Sequence, residues 1–133
     1  MKGMKLSQSI EDYLETIYII EQEKDSVRVN DIAKELSISL PSVTGCIRRL
    51  TKKGLLEYEN YGPIRLTPKG RRLGKGVYEK HKLLAEFFML LGIDEKTAIH
   101  DACLAEHILS KKTLDRLRSF VRKKGRIKYD VTG

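Results

Sequence analysis

The stretch Val29-Asn30-Asp31-Ile32-Ala33-Lys34-Glu35-Leu36-Ser37-Ile38-Ser39-Leu40-Pro41-Ser42-Val43-Thr44-Gly45-Cys46-Ile47-Arg48-Arg49-Leu50-Thr51-Lys52-Lys53-Gly54 decides the fold. Asn30 can cap a short helix over Asp31–Leu36, where Asp31 suits the positive end of the helix dipole. Ile32, Ala33 and Leu36 make its apolar face. Ser37-Ile38-Ser39 is a tight turn, and a second helix follows from about Leu40 to Lys53. Pro41 is tolerated there because it falls in the first turn, where no intrahelical donor is lost. Val43, Ile47 and Leu50 recur with helical spacing and face inward. Gly54 ends the helix as the residue just past its cap.

The flanks extend this pair. Upstream, Ile10, Tyr13, Leu14, Ile17 and Tyr18 form an amphipathic stripe, with Ser7 or Ser9 able to cap its start. Ser9 with Asp12 reads as a capping box, so Asp12 has a local structural role available; Glu15 also suits a plain surface acid. Yet Ile19 follows them on that face, which implies contact with protein there. Val27-Arg28-Val29 reads as a small strand. Downstream, Leu55–Glu59 and Ile64–Thr67 flank Asn60-Tyr61-Gly62-Pro63, a β-hairpin around a Gly-Pro turn. Three helices and a hairpin outline a winged helix, whose third helix enters the DNA major groove. Ser39, Pro41, Ser42 and Thr44 are small enough to let that helix approach base edges. Arg48, Arg49, Lys52 and, on the wing, Arg65 suit phosphates. Winged helices also bind proteins, and charge separates the two readings. Residues 39–76 hold nine Lys/Arg against two Asp/Glu, whereas residues 1–38 hold five against eight. So dense a basic block favours DNA.

The remainder reads as helices. Thr67 caps and Pro68 opens a long one reaching about Leu91. Its stripe of Val77, His81, Leu84, Phe88 and Leu91 is wider than a small unit can cover, which implies a second subunit. His81 within that stripe suits a satisfied core histidine as well as a ligand. Gly92 ends this helix, Asp94 opens another, and Ser110 caps a last one carrying Leu114, Leu117, Phe120 and Val121. The basic tail from Arg122 to Gly133 is expected to be loosely held. The boundary is expected near residues 72–76, giving a DNA-binding domain over 1–72 and a helical domain over 73–133. Cys103-Leu104-Ala105-Glu106-His107 puts a thiol, a carboxylate and an imidazole on one side of the helix opened by Asp94, at about 100° per residue. That helix is apolar on most sides and is expected to be buried. Glu106 and His107 then need a compensating partner.

Two distant cysteines, Cys46 and Cys103, suit a reducing cytosol. There is no run of about 18 apolar residues and no secretory signal, so neither a membrane partner nor export is expected. No His-Glu-x-x-His, nucleophile–base pair or glycine-rich phosphate loop is present. An enzyme acting on a small organic substrate is therefore not expected.

Ile10–Tyr18, Val29–Ala33, Pro41–Thr44, Leu66–Gly70, His81–Leu84 and Ala102–His107 together resemble the diphtheria toxin repressor family, particularly its manganese transport regulator branch. The resemblance covers nearly the whole chain. It implies a mainly α fold, with an N-terminal winged helix-turn-helix and an α-helical dimerisation domain, in the short form without an SH3-like domain. It implies a homodimer that binds a double-stranded DNA operator as a cytoplasmic, metal-dependent repressor of metal-ion homeostasis genes. Asp12, His81, Glu106 and His107 match family metal ligands. Glu15 matches a ligand of the manganese branch, and Cys103 one of the iron-responsive branch. The cofactor is thus Mn(II) or Fe(II), with Zn(II), Co(II) and Ni(II) binding at least as tightly in vitro. Gly45 departs from the family, which often has a longer polar side chain there for base contact. The alternative is a metal-independent winged-helix regulator with a structural His/Cys/acid cluster.

Overall fold

The computed structural model describes residues 8–59 and 62–132, with side chains through Lys124. The chain divides into two compact units, residues 1–78 and 79–133. It is mainly helical. In chain order come α1 (Gln8–Glu23), α2 (Val29–Leu36), α3 (Leu40–Lys52), β1 (Leu56–Tyr58), β2 (Ile64–Leu66), α4 (Pro68–Leu90), α5 (Glu95–Ala105) and α6 (Lys111–Thr132).

The N-terminal unit is the winged helix-turn-helix that the residue pattern implies. Leu14 and Ile17 of α1, Ile32 of α2, and Val43, Ile47 and Leu50 of α3 are fully buried in one core. Ser39 caps α3 by accepting from the Ser42 N–H at 3.3 Å, and Pro41 lies in its first turn. Gly54 ends α3 at φ +78°, where a Cβ would be strained. The antiparallel wing pairs Leu56 with Leu66, Glu57 with Arg65 and Tyr58 with Ile64. The Glu21 carboxylate of α1 accepts from the Leu66 N–H at 3.2 Å and from Arg71 at 3.0 Å. It thus fills a backbone position that a third strand would otherwise occupy.

Three local expectations fail here. Ser9 lies inside α1, so it cannot cap that helix; Ser7 lies outside the described residues. The strand at Val27–Val29 shrinks to one bridge, Val27 to Ile64. Val29 already belongs to α2, whose cap is Arg28 rather than Asn30. The reason is Asp31, whose carboxylate accepts from the Arg28 N–H at 2.9 Å and draws the helix start one residue earlier.

The first half of α4 belongs to this unit. Thr67 starts it by accepting from the Gly70 N–H at 3.0 Å while its hydroxyl donates to the Gly54 carbonyl at 2.8 Å. A Cβ on Gly70 would run into the Leu55 carbonyl oxygen, and one on Gly74 would meet that of Leu14 at 2.6 Å. The helix backbone therefore seats directly on the unit.

In the C-terminal unit, Leu83, Leu84, Ala102, Leu114 and Val121 form a second core. Phe87 and Phe120 meet edge to face, 5.8 Å between ring centres. Asp94 caps α5 by accepting from the Thr97 N–H at 3.0 Å, and Ser110 accepts from the Thr113 N–H at 3.2 Å ahead of α6. Helix α5 is not buried on all sides as expected. Ala98 and Ala102 are, but Ile99 and Leu104 are 42% and 55% exposed in the single chain. The backbone of the tail continues α6 to Thr132.

Candidate metal centre and nucleic-acid interface

The C-terminal unit brings sulfur, nitrogen and oxygen donors together in pairs, and among the described residues Cys103 approaches His81 without joining Glu106 and His107 in one group. His81 on α4 and Cys103 on α5 meet, with Sγ 3.4 Å from Nε2 and 3.6 Å from Nδ1. A His81 ring nitrogen and a Glu106 carboxylate oxygen lie within 4.8 Å of one another. Glu106 Oε1 is 3.5 Å from His107 Nε2. Helix α5 ends inside the motif. Its last helical residue is Ala105, and Glu106 caps it with near-helical dihedrals while its N–H still reaches the Ala102 carbonyl at 3.1 Å. Cys103 and Glu106 thus keep the i, i+3 relation that a continuous helix would give. His107 stands in the following turn, so the expectation of one helix through it is corrected.

Glu106 is 2% exposed. A carboxylate so deeply buried is costly unless cationic or hydrogen-bonding groups meet it. A divalent ion supplies such compensation, and thiolate, imidazole and carboxylate together suit a transition metal. The donor chemistry therefore fits a metal. The other two candidates, Asp12 and Glu15, sit on α1 in the N-terminal unit at i, i+3 spacing, on one side of that helix. Glu15 is buried and Asp12 half-buried.

The nucleic-acid candidates gather on the N-terminal unit. Ser39, Pro41, Ser42 and Thr44 occupy the start of α3, and Arg48, Arg49 and Lys52 follow as exposed residues along it. Arg65 is exposed on β2. A groove of about 560 Å³ runs between the start of α2, α3 and the wing, lined by Arg28, Asn30, Thr44, Arg48 and Tyr58 among others. Arg28, Asn30 and Tyr58 were not among the residues singled out from sequence. Reading residues 27–29 as a strand hid that Arg28 and Asn30 open a helix beside α3.

Arg49 differs from Arg48. Its guanidinium lies along α3 over Gly45, 3.7 Å from where a Cβ would stand. Its positive charge lies near enough to the Cys46 thiol and the Tyr13 phenol to favour their ionised forms. Burial pushes both the Tyr13 phenol and the Cys46 thiol above their ordinary values. Elsewhere in the unit, the Lys24 ammonium, with the Arg28 N–H, holds the Asp31 carboxyl below the usual carboxylate range.

Known proteins share these features. The family model described as the iron dependent repressor N-terminal DNA binding domain matches residues 5–64. That of the iron dependent repressor metal binding and dimerisation domain matches residues 67–126. The chain is 42% identical over 113 residues to the HTH-type transcriptional regulator MntR of Geobacillus thermodenitrificans, covering 85% of this chain and 80% of that one. It is 42% identical over 120 residues to an HTH-type transcriptional regulator of Methanocaldococcus jannaschii, covering 89% and 96%. The solved manganese regulator SloR superposes with a TM-score of 0.74 at 29% identity, covering 85% of this chain and 53% of that one. The chain therefore spans about half the length of that solved relative. With both domain models matched in order over most of its length, the chain belongs to the iron-dependent repressor family of metal-responsive, DNA-binding transcriptional regulators.

Proposed function

We propose that the protein is a homodimeric repressor of metal-uptake genes, activated by Mn(II) or Fe(II). In this reading residues 1–72 bind a double-stranded operator and residues 73–133 bind metal and dimerise. The observation that carries it is the buried Glu106 carboxylate, with a His81 ring nitrogen within 4.8 Å and His107 at 3.5 Å, in a chain that also holds a basic helix-turn-helix.

Asp12 and Glu15 complete the ligand set from α1. Glu106 and the Cys103 thiolate would add two more negative groups to the set. Those groups repel until a cation offsets them. Sharing an ion with the dimerisation unit ties α1 down, and with it the recognition helix α3. Two recognition helices of a dimer then meet successive major grooves, about 34 Å apart. Ser39, Pro41, Ser42 and Thr44 face the bases, and Arg48, Lys52 and Arg65 hold phosphates. Zn(II), Co(II) and Ni(II) compete for the same donors in vitro. The protein acts by binding in the cytoplasm, where its two thiols stay reduced.

The test is a DNA-binding titration at fixed salt, under anaerobic conditions, with and without Mn(II) or Fe(II). Affinity is expected to rise by about 5- to 150-fold with metal, the range of a coupling of 1–3 kcal/mol. Equal affinity in both arms sinks the reading in favour of a metal-independent regulator. Elemental analysis of untagged protein gives a second check.

A further inference from the structure

Residue 45 is the one place on the recognition helix with no side chain to read a base, and the structure puts another residue's side chain there. Gly45 and Arg49 are one turn apart on α3. Helical side chains lean toward the N-terminus, so Arg49 falls naturally over residue 45. Its Nη1 lies 3.7 Å from the position of a Gly45 Cβ. The guanidinium also lies near the Cys46 thiol and the Tyr13 phenol, whose ionised forms its charge favours. Cys46 and Tyr13 are 4% and 5% exposed, so that side of the guanidinium borders the core. Arg49 as a whole is exposed. A guanidinium has five N–H donors in a flat fork, so one edge bordering the core leaves others for a ligand.

We propose that Arg49, laid across the Gly45 notch, reads a guanine through its O6 and N7 acceptors and is the main specificity-determining residue of α3. This rests on the DNA-binding reading above and replaces the phosphate role that sequence assigned to Arg49. Arg48, about 100° away round the helix, instead lines the groove with Arg28 and Asn30 and keeps a phosphate role. Lying along the helix over Gly45 limits rotamer freedom before binding, so the arginine meets the base edge already oriented.

The experiment is selection of duplexes from a randomised pool by the full-length, Mn(II)-loaded protein, followed by affinity measurements. Arg49→Ala is expected to erase a guanine preference at one position of each half-site, by about 5- to 150-fold, and to leave other positions unchanged. Arg48→Ala is expected to weaken all duplexes evenly and to flatten the salt dependence by about one charge. Gly45→Ala keeps the guanidinium in place and the guanine preference intact, since its Cβ makes only ordinary contact. Gly45→Leu fills the notch, favours the helix and removes the preference, which tests the proposal even if Arg49→Ala fails to fold. The proposal is overturned if Arg49→Ala or Gly45→Leu retains the guanine preference, or if Arg49→Ala weakens all sequences evenly. A wild-type protein that enriches no sequence with metal overturns instead the DNA-binding reading beneath it.

Discussion

At the scale of single residues, Glu106 is the group with the most at stake. It is a buried carboxylate against His107 in the donor cluster. Glu106→Gln keeps shape and removes charge. The fold is expected to survive, while Mn(II) no longer raises DNA affinity; far-UV circular dichroism and a metal titration of operator binding check the two halves. Asp31 carries a different prediction. Its carboxyl is held low by Lys24 and Arg28, so its folded pKa lies below its unfolded one. That contribution is complete above about pH 4 and drains away as pH falls through the folded value. Asp31→Asn is expected to cost about 1 kcal/mol at pH 7 and to cost less in urea melts at pH 3. Gly70 is sensitive for a steric reason. A methyl there strikes the Leu55 carbonyl, so Gly70→Ala should destabilise the N-terminal unit by about 2–3 kcal/mol in the same melts.

At the scale of elements, Glu21 ties α1 to the wing across 45 residues of sequence. Glu21→Ala releases the Leu66 N–H and Arg71, so the wing and Arg65 lose a fixed position. Operator affinity is expected to fall several-fold without loss of metal uptake, read by parallel fluorescence and metal titrations. This contact also marks where sequence reading stopped. The helix starts at Asp94 and Ser110 and the stop at Gly54 were legible because each depends on neighbours within four residues. The three-helix order and the wing were legible from apolar spacing and one Gly-Pro turn. The Val27 segment was misread because its bridge partner, Ile64, is 37 positions away and its other end is claimed by the Asp31 cap. The meeting of His81 with Cys103 crosses two helices, and periodicity shows that each lies on a face, not that the faces meet. The role of Arg49 was hidden for the opposite reason. Its placement is local, but a glycine reads as missing function rather than as room for a neighbour.

At the scale of the whole molecule, the C-terminal unit leaves Leu91, Leu104 and Ile108 more than half exposed, beside a well-packed core. Apolar surface of that kind on a dimerisation domain calls for a second copy. Ile108→Glu is expected to shift the protein toward monomer in sedimentation and to weaken operator binding with it. The two cysteines add a consequence of their own. Cys46 is sealed in the core of the DNA-binding unit, and Cys103 is exposed beside His81. A thiol-alkylating reagent therefore meets two very different rates on one chain. Cys103 should react first, and a slower rate on adding Mn(II) is the outcome expected if the proposed ligand role of Cys103 holds. Cys46 should react only when its unit opens, so the same tube of protein, sampled over time, also clocks how often the DNA-reading half comes apart.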